Sequence, residues 1–274
     1  MPPAGTPAAQ QLTGSRSPTW EAHLRPRLKA ILEGRKIVTA FQPIRDFASG
    51  NVVGAGALTR FPGADDTSPG EWFVDAKQAR LAGDLEVAAL ESALAAAKEL
   101  PGHLYVRFKL SPETCMDPLL PVLLTESAVE PGRTVLELTE PPTKEQVGPL
   151  LSVLAPLRRR GVRLAIDHAG SSFTSIRQIR RLQPDFVGLD RSLIAGIDAD
   201  VLRSSLGEAM VRFAKQSGAE VIAQGIETAE ELATVTGLGI SAGQGYFLGR
   251  PTTRPSDWKQ WNPSENKPAA NGKQ

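Results

Sequence analysis

Acidic and polar residues recur at the ends of short apolar runs in this chain of 274 residues. T-V-L-E-L-T-E offers Glu137 and Glu140, V-R-L-A-I-D-H offers Asp167 and His168, F-V-G-L-D ends on Asp190, and E-V-I-A-Q-G-I-E offers Gln224 and Glu227. Carboxylate oxygens suit hard divalent cations. Cations held in this way polarise phosphates and make a bound water nucleophilic. Taken singly, each acid also fits the N-cap of a helix starting just beyond it. Four successive runs ending this way point to a former or present site. That holds only if the runs are strands of a parallel α/β fold, whose C-terminal ends face one ligand site.

The elements that would position them are legible. Apolar runs suited to buried strands fall at 37–44, 52–61, 104–110, 134–138, 163–166, 186–189 and 220–223, with a weaker one at 241–247. Helical spacing covers 21–34, 71–82, 84–100, 144–160, 172–181, 201–217 and 228–236. The first helix ends at a glycine, and the last opens with Thr228 and Glu231, a capping box. Only F-A-S-G-N, 47–51, separates the first two strands, which predicts an antiparallel hairpin. Strand and helix then alternate. The pattern predicts a closed α/β barrel with one reversed strand near the N-terminus. A doubly wound open sheet remains the alternative, because periodicity does not reveal closure.

Composition narrows the function. A hydrophobic fraction of 41%, with 22% charged residues, is that of a folded globular chain. The net charge of +1 lacks the basic surplus of a sequence-independent DNA grip. Cys115 has no possible internal disulfide partner, there is no basic-then-apolar leader, and no apolar run approaches a membrane span. The expected setting is the cytoplasm, without membrane or DNA partners. Residues 1–18 and 261–274, rich in Pro, Gly, Ala and Ser or in polar groups, are expected to be disordered around a barrel domain at 19–260.

The strand ends also carry a resemblance. F-Q-P-I at 41–44, A-L-T-R at 57–60, L-S-P at 110–112, E-L-T-E at 137–140, D-H-A-G at 167–170, L-D-R-S at 189–192, G-I-E-T at 225–228 and Q-G-Y-F-L-G-R-P at 244–251 fall in the order and spacing of the EAL domain, which they resemble. That family hydrolyses the bacterial second messenger cyclic di-GMP. The resemblance implies a modified TIM (β/α)8 barrel with one antiparallel strand, and two Mg²⁺ or Mn²⁺ ions among carboxylates and an asparagine. Against that pattern the departures are many. Gly56 stands at the glutamate of the name motif, Lys109 at the asparagine, His168 at the second aspartate and Ala169 at the phenylalanine that follows it. Gly188 stands at a lysine, and Gln224 at a further glutamate. Glu137, Asp167, Asp190, Glu227 and Gln244 are retained.

Acids have gone and Lys109 has arrived, so a place for divalent cations has turned toward repelling them. Only Glu137 and Asp167 remain as a metal remnant, and no cofactor is expected. Lys109 could stand where a metal stood, paired with both carboxylates, since a buried carboxylate pair needs compensation. His168 with Glu137 and Asp167 would be the competing ligand set for Zn²⁺ or Mn²⁺, opposed by the neighbouring lysine. The family's ligand contacts would fall on Gln42, Leu58, Arg60, Asp190, Glu227 and Gln244. Arg60 suits a phosphate fork or an internal salt bridge, and the glutamines suit a purine edge or backbone groups at a strand end. The segment 171–175, S-S-F-T-S, lacks the family's two glycines there, which would stiffen a loop implied to couple ligand binding to dimerisation.

The expectation is therefore a catalytically inactive EAL-type barrel that works by binding, as a cyclic di-GMP receptor or a signalling-protein interaction module, with homodimerisation open. The alternative is a residual metal-dependent phosphodiesterase yielding linear pGpG.

Overall fold

The computed structural model describes residues 18–34, 36–63, 68–167 and 175–262. Eight strands close in sequence order: β1 (Val38–Asp46), β2 (Val52–Arg60), β3 (Tyr105–Leu110), β4 (Thr134–Leu138), β5 (Arg163–Ile166), β6 (Phe186–Leu189), β7 (Glu220–Gln224) and β8 (Ala242–Gln244). β1 runs antiparallel to both neighbours, pairing Gln42 with Gly56 on β2 and Arg45 with Gly243 on β8. All other pairs are parallel. The hairpin turns at Gly50, whose φ is 69°, while the Asp46 carboxylate accepts from the amide and hydroxyl of Ser49. The fold is thus a closed α/β barrel with one reversed strand, and the open-sheet alternative is set aside.

Helices wrap the barrel: α1 (Pro18–Glu33), α2 (Pro69–Gln78), α3 (Ala82–Ala97), α4 (Pro112–Cys115), α5 (Leu119–Glu126), α6 (Val147–Arg159), α7 (Ser175–Leu182), α8 (Arg191–Ile194), α9 (Val201–Ser217), α10 (Ala229–Gly237) and α11 (Pro255–Lys259). Three differences from the sequence reading have local causes. α4, α8 and α11 are one-turn or near one-turn helices, too short to show a period. α5 carries Pro121 in its first turn, where proline is tolerated. The strand expected over 241–247 stops at Gln244, because Gly245 lies directly on the backbone of Ile226, where a Cβ would come within 2.0 Å of its carbonyl oxygen. The capping box of α10 is present as read. The termini before residue 18 and after 262, together with His168, Ala169 and 171–174, lie outside the described residues.

Strand alternation separates two cores. Val106, Phe108, Leu136, Leu138, Leu164, Ile166, Val187, Leu189 and Val221 point outward into a continuous core under the helices. The inward residues Ile44, Val135, Ala165, Phe186, Ile222 and Ala242, with Tyr105, fill one apolar layer inside the barrel. Trp258 docks α11 on β1, its ring edge-on to Phe41 at 5.0 Å and its Nε1 donating to the Thr252 carbonyl. Among the described residues no helix is long and apolar enough to cross a membrane.

Gly54 belongs to the apolar layer. The Tyr105 ring lies where its side chain would be, with Cε2 only 2.4 Å from the place a Cβ would take, and that ring is stacked on Phe186 at 5.5 Å. Gly54→Ala should therefore cost about 1–3 kcal/mol through overpacking, read as a lowered urea midpoint. An unchanged midpoint would mean that the Tyr105 ring turns aside freely.

Candidate functional site

Above the apolar layer, the next inward positions are polar. β3 reads Y-V-R-F-K-L, and since Val106, Phe108 and Leu110 face the helices, Arg107 and Lys109 face inward. Glu137 of β4 lies in register beside Lys109, Asp167 follows β5, Gln224 ends β7 beside Gln244 of β8, and Gln42 lies across from Gly56. Sequence that is apolar on one strand face and charged on the other has put two cations and two carboxylates inside a barrel.

These groups engage one another, with Arg107 Nε and Nη1 and Glu137 Oε2 left buried without a hydrogen bond among the described residues. Lys109 Nζ donates to Asp167 Oδ2 at 2.6 Å and lies 3.9 Å from Glu137 Oε2. Arg107 Nη1 stands 3.4 Å from Glu137 Oε1, and Nη2 donates to Gln244 Oε1 at 2.9 Å. Gln224 Nε2 donates to Glu137 Oε1 at 2.8 Å and to Asp167 Oδ1 at 3.0 Å. Gln244 Nε2 donates to Gln42 Oε1, and Gln42 Nε2 to the Gly249 carbonyl, both at 2.9 Å. Carboxylates only accept, so the amide nitrogen of Gln224 must face them, whereas a glutamate there would add a third anion. Burial works to lower the pKa of Lys109, but Glu137 and Asp167 outweigh it and hold the ammonium above the ordinary value of 10.5.

The substituted positions fit this lattice. A Cβ on Gly188 would lie 2.5 Å from Gln224 Nε2 and 3.1 Å from Asp167 Oδ1, and one on Gly56 would lie 2.9 Å from Gln244 Oε1. Neither a lysine at 188 nor a glutamate at 56 can coexist with the amides as placed. The carboxylates of Glu137 and Asp167, oxygen ligands of the kind divalent cations take, are engaged here by an ammonium, a guanidinium and an amide.

Beside the lattice, a cavity of about 350 Å³ opens between β2, β3, α2 and α3, a size within the range of small-molecule sites. Leu58, Arg60, Phe73, Glu86, Phe108 and Lys109 are among its lining. Arg60 donates to the Thr59 carbonyl at 2.9 Å and makes no ion pair among the described residues, so the internal salt bridge weighed for it is absent there. Glu86 accepts through one oxygen from the amide and hydroxyl of Ser111.

Asp190 and Glu227 sit apart. Asp190 caps α8 by accepting from Ser192 N. Glu227 pairs with Arg191 at 2.8 Å, and Arg191 also reaches the Gly225 carbonyl and Glu231. Burial opposes the charge of Glu231, but amides of Glu227 and Gly196 and the Arg191 guanidinium hold its carboxyl below the usual range. This clamp fixes the loop after β7 to the start of α8.

Arg107, Glu86 and Arg191 carried no site role in the sequence reading. The signal for Arg107 was the period-two alternation of β3 itself. The two others are revealed by tertiary contacts alone.

Lys109→Met leaves the two carboxylates with one cation. Breaking a buried pair costs about 3–5 kcal/mol. Lys109 is one-third exposed and Arg107 remains, so about 2 kcal/mol is expected, a Tm loss of roughly 4–8 °C. Because the lysine pKa is raised, the gap to wild type should hold in full below 10.5 and narrow as pH climbs through the raised value. Equal melting temperatures at neutral pH would show that the ammonium contributes nothing to the fold.

A model of the EAL domain matches residues 25–251. The probable cyclic di-GMP phosphodiesterase PdeB of Escherichia coli strain K12 is 26% identical over 246 residues, covering 86% of this chain and 46% of PdeB. The structure of the PaMucR phosphodiesterase in complex with c-di-GMP matches with a TM-score of 0.76 at 25% identity, covering 84% of this chain and 97% of that one. BlrP1 of Klebsiella pneumoniae, solved as a manganese/cy-diGMP complex, matches with a TM-score of 0.70 at 29% identity, covering 80% and 56%. The chain spans less than half the length of the first curated relatives it matches. Matched by that model over most of its length and folded as those structures are, the chain belongs to the EAL domain family.

Proposed function

We propose that this chain is a cytoplasmic, catalytically inactive EAL barrel that works by binding, as a metal-independent receptor for cyclic di-GMP. One observation carries the reading: Lys109, Arg107 and Gln224 engage the remaining Glu137 and Asp167 carboxylates, while the cavity beside them stays open. Hydrolysis of a phosphodiester by this family's route needs an electrophile on the phosphate and an activated water, both supplied by metals. The side chains present do not suit those ions. Binding needs neither. Leu58 and Phe73 offer apolar walls, and Arg60, at the end of β2, offers N–H groups uncommitted among the described residues for a phosphate. The relatives named for cyclic di-GMP supply the ligand.

A second reading, a protein-interaction module, is supported by Val201 and Leu202 at the start of α9, 81% and 78% exposed, with Leu206 partly exposed one turn on. Self-association through this face would appear in light scattering as a dimer that Leu202→Asp splits. A wild-type monomer at high concentration removes the homodimer.

Calorimetric titration with cyclic di-GMP in EDTA, followed by chromatography of the nucleotide, tests the main reading. Saturable binding with the dinucleotide recovered intact is expected. Linear product in catalytic yield with Mn²⁺ would overturn the inactivity, and absence of binding would overturn the receptor. Arg60→Ala should weaken affinity at least about tenfold, since a charge-assisted bidentate contact contributes about 1.5–3 kcal/mol. An unchanged Kd with intact circular dichroism would remove Arg60 from the site.

A further inference from the structure

Lys109 differs from the rest of the polar layer in its reach. Arg107 and Glu137 are 1% and 0% exposed, whereas Lys109 is 34% exposed and lines the cavity. An ammonium carries three donors. Asp167 takes one at 2.6 Å, Gln224 Oε1 accepts a longer one at 3.5 Å, and Glu137 Oε2 stands off at 3.9 Å. Arg60 lines the same cavity with donors to spare among the described residues. Glu86, the carboxylate among the lining groups, is held by Ser111. Leu58, Phe73 and Phe108 give the same cavity apolar walls.

We propose that Lys109 is a ligand-contact residue. Its ammonium, anchored from inside the barrel by Asp167, grips a phosphate oxygen together with Arg60, so that a lysine of the chain does for the ligand what a bound metal would do. The ligand class is a phosphodiester carrying a flat apolar group, and this rests on the receptor reading above. A compact ammonium suits this place better than a fork would, because it meets Asp167 on one side and an anion on the other. Asp167 then has two effects. It holds the lysine in position, and it cancels much of the positive charge that the ligand meets.

Those effects separate the proposal from a lysine that only fills space. Titration of cyclic di-GMP in EDTA into wild type, Lys109→Met and Asp167→Asn supplies the test, with circular dichroism for each. Lys109→Met should weaken binding at least about tenfold. Asp167→Asn keeps an amide oxygen to accept from the ammonium and removes only the charge, so it should tighten binding several-fold. If Lys109→Met fails to fold, Asp167→Asn decides alone. Wild-type binding with Asp167→Asn unchanged or weaker, or with a folded Lys109→Met unchanged, overturns the role of Lys109 and leaves the receptor standing. A wild type that does not bind overturns both.

Discussion

A carboxylate with no exposed surface must find its countercharge inside the protein, and Glu137 is such a group. Desolvating an unpaired charge costs several kcal/mol, so the barrel can close around Glu137 only if cations and donors close around it too. Arg107, Lys109 and Gln224 meet that requirement. Each comes from a different strand or a different position on one, and each depends on the inward alternation of the strands. The glycines at 56 and 188 fit the same arrangement, since a Cβ at either would press on the amide of Gln244 or Gln224 as placed. Among the described residues, Gly56, Lys109, Gly188 and Gln224 thus border one connected set of side chains.

The coupling explains how charged groups are accommodated at the mouth of the barrel without losing the fold. Polar groups in a barrel interior polarise and orient one another. Here the chain of contacts runs from Asp167 through Gln224, Glu137, Arg107 and Gln244 to Gln42 and the Gly249 carbonyl. It ties β1, β3, β4, β7 and β8 together at the mouth of the barrel. Lys109 is the member that also borders the cavity, so the ligand would bear directly on the lattice.

Much of this was legible in the sequence, for physical reasons. Buried strands of a parallel barrel are short apolar runs, and their termination by acids is visible without coordinates. A five-residue linker forces a hairpin, which placed the reversed strand near the N-terminus, and pairing with β8 identifies it as β1. What stayed hidden depended on pairing. Arg107 sits in mid-strand, away from the strand ends where ligand groups gather, and only alternation with Tyr105 and Lys109 marks it as inward. Gln42 and Gln244 look like ligand readers in one dimension, yet their amides engage Gly249, Arg107 and each other. Glu86 of α3 reaches the cavity through the packing of a helix on β2 and β3, which no local pattern encodes. The meaning of Gly54 required Tyr105, far along the chain, to be seen lying across it.

Cations of the chain itself, on this reading, hold the place of divalent metals. The most direct test is titration of Mn²⁺ into the intact protein, followed by the electron paramagnetic resonance signal of the free ion. The predicted signal rises in proportion to added Mn²⁺ from the first equivalent, as in buffer alone. Loss of one or two equivalents of signal into tight, stoichiometric binding would contradict it, because Lys109 and Arg107 would then have yielded the carboxylates to metal.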